Sequence, residues 1–341
     1  MLMDQAALVA LPASGSAWDA IITASDAAAG TPNLADINTL THQKVAFAKA
    51  LRYARVGGST YRSDARDLIL AAIGTEDNGS GADGALALSR QLAPYVMAAD
   101  FINLRGLSVG DDNTFRTWLS TICTKVVGSH GLWFTVRGTH ENAPANWGCL
   151  AGASRIATAI YLGDTTDINF ARVVLQGFLG DRTAYSGFLA LWQPEYDEER
   201  TWACSPDLYT PINPACTLST INVDGVIPVD TPRDSVSTQV TLTWPPPPVG
   251  VNYTLEDLQG LIVQAELLNR RGYPVYTWSS QAIKRVGEMI ERSRLAGGTG
   301  WIDFAVNDHI PWVLNKRYSM GLATRAAGWG RMFGFTDWLY Q

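Results

Sequence analysis

The sequence predicts an all-α fold. Apolar residues recur at three- and four-residue spacing in successive stretches along most of the chain, Gly- and Pro-bearing turns separate those stretches, and only 184–250 lacks a helical period. Of 341 residues, 47% are apolar and 17% charged. That is enough material for a sizeable core and too little charge for a disordered chain or a coiled coil. Barrels and toroids of this length form one unit, so 1–341 is read as one domain with a loop insertion at 184–250.

Ser14 or Ser16 caps a helix to about Ala28, and Gly30–Thr31–Pro32 ends it. Further helices are expected at 36–55, stopped by Gly57–Gly58, and at 59–74, followed by a loop at 76–83 (EDNGSGAD). The clearest helix spans 84–103, with Leu88, Leu92, Tyr95, Ala99 and Ile102 on one face. Pro94 lies inside it and predicts a kink or break. Helices follow at 113–127, at 147–162 and at 168–179; the second carries Trp147, Leu150, Ala151, Ser154, Ala157 and Tyr161 on one stripe. The middle is rich in Pro, Thr, Val and Asp, with short strands expected at 219–223 and 237–243 and a polyproline run at 245–248. Long irregular segments of compact domains are functional or disordered; this one carries Trp192, Trp202 and Trp244 and is read as ordered and functional. Helices resume at 254–269, 277–295 and 308–314. Nine or ten helices in antiparallel hairpin order fit a complete or incomplete (α/α) toroid, with a helical solenoid as the alternative.

A net charge of −6 argues against a nucleic-acid binder, which needs a basic surface. No apolar stretch is long enough for a bilayer span. The four Cys form no CxxC; Cys123 and Cys149 read as buried thiols, whereas Cys204 and Cys216, twelve apart in a polar loop, are placed for a local disulfide and hence an oxidising compartment. The acidic run 195–199 lacks the alternating spacing of a calcium loop, so no metal or cofactor is expected. Twelve Trp suit either core packing or a cleft in which flat rings cover pyranose faces.

Three stretches resemble the alginate-lyase-like polysaccharide lyases: 86–103 (LALSRQLAPYVMAADFIN), 141–164 (ENAPANWGCLAGASRIATAIYLGD), and 224–272, where an Arg in a "DG…R" run precedes a Tyr that opens a helix. The tail from Trp312 to Trp338 resembles the closing segment of such domains more loosely. Together they cover roughly a third of the chain. The resemblance implies an (α/α) toroid that cleaves an acidic, uronate-containing polysaccharide by β-elimination. It departs from the family pattern in two places. No His directly follows an Asn before Trp147, the nearest being His140, and the interval from Arg233 to Tyr253 is expanded.

β-Elimination removes a weakly acidic proton α to a carboxylate. That carboxylate must be neutralised by hydrogen-bond donors, a base must take the proton, and an acid must protonate the leaving oxygen. Asn142 and Asn146, four apart at a helix start, are the candidate neutralisers. Tyr253 is the candidate base and acid, with Arg233 supplying the positive charge that lowers its pKa and His140 as the alternative base. Arg137, Lys316 and Arg317 are candidates for sugar carboxylates, Trp147, Trp192 and Trp202 for stacking, and His309 for the cleft. Each has a plainer reading as a cap, core aromatic or solvated charge. A secreted or periplasmic location is expected, although the first residues carry Asp4 and no basic region and make a poor signal. The competing classes are a glycoside hydrolase, for which Asp100, Glu141, Asp197 and Glu199 are available carboxylates, and a non-catalytic carbohydrate-binding module.

Overall fold

The computed structural model describes residues 1–79, 83–127, 134–188, 201–205, 210–232, 241–246, 248–297 and 307–341, with backbone only at 248–252. Among these the chain is mostly helical. The helices are α1 (Gln5–Ala10), α2 (Ser16–Asp26), α3 (Thr41–Val56), α4 (Ser59–Ala71), α5 (Gly84–Phe101), α6 (Leu104–Leu107), α7 (Val109–Ile122), α8 (Val136–Asn142), α9 (Asn146–Leu162), α10 (Thr165–Phe178), α11 (Pro248–Asn269), α12 (Trp278–Leu295), α13 (His309–Tyr318) and α14 (Thr336–Leu339). One small hairpin, β1 (Thr217–Leu218) with β2 (Ile221–Asn222), replaces the first expected strand. Most of the second expected strand lies outside the described residues. The expected polyproline run instead ends in helix: α11 opens at Pro248, where the missing N–H costs nothing.

Helices α3, α5, α9, α11 and α13 run side by side in one direction. His42 Nδ1 pairs with the Tyr95 hydroxyl at 2.7 Å, and Phe47 meets Phe101 further along the same two helices. Ser154 on α9 meets Ser89 and Ala93 on α5, while Asp100, Asn103, Tyr161 and Arg270 line one cavity of about 370 Å³ where α5, α9 and α11 all end. Gln259 donates to Asn307 at 2.8 Å, and Arg317 on α13 pairs with Glu266, two turns further along α11. The partners α4, α7 and α10 run the other way. Lys49 pairs with Asp64 at 2.9 Å and Arg52 stacks on Tyr61, three residues earlier. Arg116 of α7 caps the last carbonyls of α9, those of Tyr161 and Leu162.

Pro94 does not end α5. The Ser154 hydroxyl accepts from Ala93 N–H at 3.1 Å and donates to the Ser89 carbonyl at 2.7 Å, serving backbone groups just before the proline. One cluster of buried apolar side chains reaches from Leu2 to Tyr340, and it includes Trp202, Ile212, Val223, Val226 and Ile227 of the irregular middle. Cys204 and Cys216 form a disulfide there, while Cys123 and Cys149 are buried thiols. Among the described residues no helix is long and apolar enough to cross a membrane.

α9 and α11 make the closest helix contact. A Cβ at Gly260 would lie 2.3–2.6 Å from the backbone of Cys149 and Leu150, and one at Gly152 would lie 2.5 Å from Gln264 Oε1. At Gly260 the obstacle is backbone and cannot rotate away. Gly260→Ala is therefore expected to cost about 1–3 kcal/mol, toward the upper end. A guanidinium melt measures this, and an unchanged midpoint would mean that the two helices separate freely.

Candidate functional site

Thr135 caps α8 by accepting from Gly138 N–H at 2.8 Å, and Asn142 ends it with its amide donating back to the Gly138 carbonyl at 2.7 Å. His140 and Asn142 therefore sit on a short helix where the sequence suggested a loop. Buried Ala143, Pro144 and Ala145 then lead into α9. The start of α9 is held by Asp230, which accepts from the Asn146 backbone N–H at 2.7 Å and from its side-chain amide at 3.2 Å. A carboxylate is favourable there because the first helical amides present partial positive charge. Asp230 belongs to a tight turn in which Asp230 and Thr231 N–H both donate to the Ile227 carbonyl, and the Thr231 hydroxyl pairs with Thr254 of α11 at 2.8 Å. The start of α9 and the second turn of α11 thus meet across one loop. Trp147 is half-buried over Ala143, Ala145 and Val229, and Tyr253 is half-buried in the second turn of α11.

Beneath this rim lies a carboxyl pair. Asp257 is buried and hydrogen-bonded to Asp230, and the Cys149 thiol donates to Asp257 Oδ1 at 3.3 Å. Burial first, and then the neighbouring Asp230, hold the Asp257 carboxyl well above the ordinary range. Burial likewise pushes the Cys149 thiol up. The two adjacent carboxyls titrate as a coupled pair, and Asp257 is the member held upward.

The other sequence candidates separate. His140 is only 3% exposed. Arg155 Nη1 faces its Nδ1 at 3.5 Å, so Nδ1 is assigned as acceptor and Nε2 as the protonated nitrogen. Burial and the Arg155 charge lower its pKa well below the ordinary value. The ring is neutral but walled in, so it is removed as a base. Asn146 is buried and its amide is spent on Asp230; it anchors α9 and is not free to neutralise a substrate, which leaves Asn142. Trp202 is 0% exposed and offers no face to a sugar ring; its carbonyl accepts from Asn213. His309 is buried edge-on to Phe333 and does not open on a cleft. Arg317 pairs with Glu266, which also accepts from the Tyr276 and Tyr340 hydroxyls. Glu266 is thirteen residues beyond Tyr253, about 20 Å along α11, so Arg317 braces the opposite end of the helix. Lys316 donates to the Gln341 carbonyl at the same end. Arg137 stays half-exposed, 3.2 Å from Asp167, a carboxylate that Arg155 also holds at 2.6 Å. Arg233 and Trp192 lie outside the described residues.

Sequence reasoning missed the groups that build the rim: Asp230, Asp257, Glu256, Arg90 and Arg331. A signal was present in α11, which is buried on every side yet carries Thr254, Glu256, Asp257, Gln259, Gln264 and Glu266. Charges on such a helix must find partners.

No protein-family model, curated protein or solved structure matches the chain.

The carboxyl pair has a measurable consequence. A group whose pKa is higher in the folded than in the unfolded chain contributes stability at low pH and loses it as pH rises through its folded value. Asp230, Cys149 and Glu256 all face Asp257, and none supplies a positive charge to reverse this. Replacing Asp257 by Asn keeps a neutral hydrogen-bonding side chain and removes the titration. The melting temperature of Asp257→Asn, relative to the native chain, is expected to rise with pH from 5 to 9. Parallel curves for the two proteins would show that Asp257 titrates normally.

Proposed function

We propose that the chain is an (α/α)-toroid polysaccharide lyase that cleaves a uronic-acid-containing polysaccharide by β-elimination at the rim formed by Asn142, Trp147 and Tyr253. The observation that carries this reading is the meeting of two separate sequence stretches. The Asn142–Trp147 segment and the turn of α11 that carries Tyr253 lie more than a hundred residues apart, yet they are bonded through Asn146–Asp230 and Thr231–Thr254. The toroid is supported by five like-directed helices alternating with antiparallel partners. The Cys204–Cys216 disulfide supports an oxidising, extracytoplasmic setting.

In this reading Trp147 covers an apolar sugar face, and the second N–H of the Asn142 amide, the one not given to the Gly138 carbonyl, donates to the uronate carboxylate as charge builds on it. The Tyr253 phenolate takes the C5 proton, the C5–H electrons form the C4–C5 double bond, and the C4–O bond breaks. The Tyr253 hydroxyl then returns its proton to the leaving oxygen.

Incubation with alginate, glucuronan, hyaluronan and pectate is expected to raise ultraviolet absorbance on at least one of them, because elimination leaves an unsaturated uronate. New reducing ends without absorbance would make the protein a hydrolase instead. Tyr253→Phe is expected to lower kcat by about 10²–10⁴-fold with KM within a few-fold; retained turnover removes Tyr253 as the base.

A further inference from the structure

One turn into α11 from Tyr253, the buried Glu256 carboxylate holds two guanidinium groups. Arg90 of α5 binds one oxygen in a short, buried contact, and Arg331 approaches the other through Nε and Nη2, both at 3.3 Å. One negative charge thus faces two positive ones. Asp83, the other carboxylate acting on Arg90, is exposed and screened by solvent. The cluster also has more donors than acceptors: among the described residues, Arg90 Nε and Asn307 Nδ2 are buried with no hydrogen-bond acceptor.

Arg331 is the group that reaches outward, with its side chain 25% exposed. It is presented by a built turn. Trp329 pairs with Gly334, Gly330 N–H donates to the Phe333 carbonyl at 2.7 Å, and Arg331 N–H donates to Gln259 Oε1 at 2.6 Å. A Cβ at Gly330 would lie 2.5 Å from the His309 ring and 2.6 Å from Gln259 Oε1, so the turn is seated directly on α11. The two Glu256 contacts go to a single oxygen, which leaves Nη1 and part of Nη2 for another acceptor. Glu256 and Tyr253 are three apart on a helix, with Cβ atoms about 5–6 Å from one another, so the Arg331 guanidinium comes within reach of a group bound at Tyr253.

We infer that Arg331, braced with Arg90 on Glu256, is a carboxylate-binding element of the rim and receives the uronate carboxylate of the sugar that Tyr253 attacks. A guanidinium suits this because it offers a planar, paired set of donors. Arg90 acts through Glu256 and positions Arg331. The inference rests on the lyase reading for its substrate, but the binding step stands by itself.

The test is calorimetric titration of the whole protein with short oligomers of mannuronate, glucuronate and galacturonate and with neutral cello-oligomers. At least one acidic oligomer is expected to bind more tightly than its neutral counterpart, by a margin that shrinks as salt is raised. Arg331→Gln is expected to lose about tenfold or more of that affinity, while Arg331→Lys, which keeps the charge but not the paired donors, recovers part of it. The melting temperature of each variant confirms that it folds. Equal binding of acidic and neutral oligomers overturns the inference, as does an Arg331→Gln protein with native affinity. In the latter case, ultraviolet-absorbing product from the native enzyme would leave the lyase reading intact. Arg331-dependent binding without any such product keeps the inference and removes the reading.

Discussion

The close contact of α9 with α11 is the constraint on which the rest depends. Gly152 and Gly260 remove the side chains that would hold the two helices at ordinary spacing, and the Cys149 carbonyl comes near enough to accept from Gln264 at 2.8 Å. At that spacing the start of α9 and the second turn of α11 share the 227–231 loop, and Asp230 reaches the start of α9 while lying beside Asp257 of α11. A wider gap would let water between the two carboxyls and would part Asp230 from Asp257.

Close packing also sets the electrostatics. Six polar side chains of α11 are buried, and no solvent screens them. The three acidic ones among them solve the problem differently. Glu266 fills its acceptor sites with Arg317, Tyr276 and Tyr340. Asp257 lies against Asp230, and burial holds its carboxyl toward the protonated form. Glu256 draws in two arginines and leaves positive charge over. The first two arrangements are closed, and only the third leaves a donor set facing outward.

Much of the helical order was legible in the sequence, because period and punctuation are local. The helices at 84–101 and 146–162 fall close to their expected places, and α12 does so after Ser279, Ser280 and Gln281, whose φ is positive. Helix α8 was missed because it is seven residues long and contains Gly138, although Thr135 three residues before Gly138 is a readable cap. The site was less legible, since burial depends on packing between distant segments. His140 looked like a surface histidine from its polar neighbours, and only the fold puts Arg155 and Gly152 against it. Trp202 looked like a loop aromatic, yet the Asn213 bonds fold that loop into the core. The pairing of Asp230 with Asp257 leaves no trace in either residue's own neighbourhood.

The chain's two ends are sewn together. Trp338 Nε1 donates to the Pro12 carbonyl across 326 residues of sequence, Trp18 stacks against Trp338, and Phe47 meets Trp329. On a ribosome, α2 and α3 emerge long before the 329–338 segment that covers their apolar flank. Local hairpins can form as they are synthesised, but this seam closes only after residue 338 is free, and loop closure over that span is slow. Trp18 therefore stays uncovered while the residues between it and Trp338 are made, which makes α2 and α3 a natural place for a chaperone to hold.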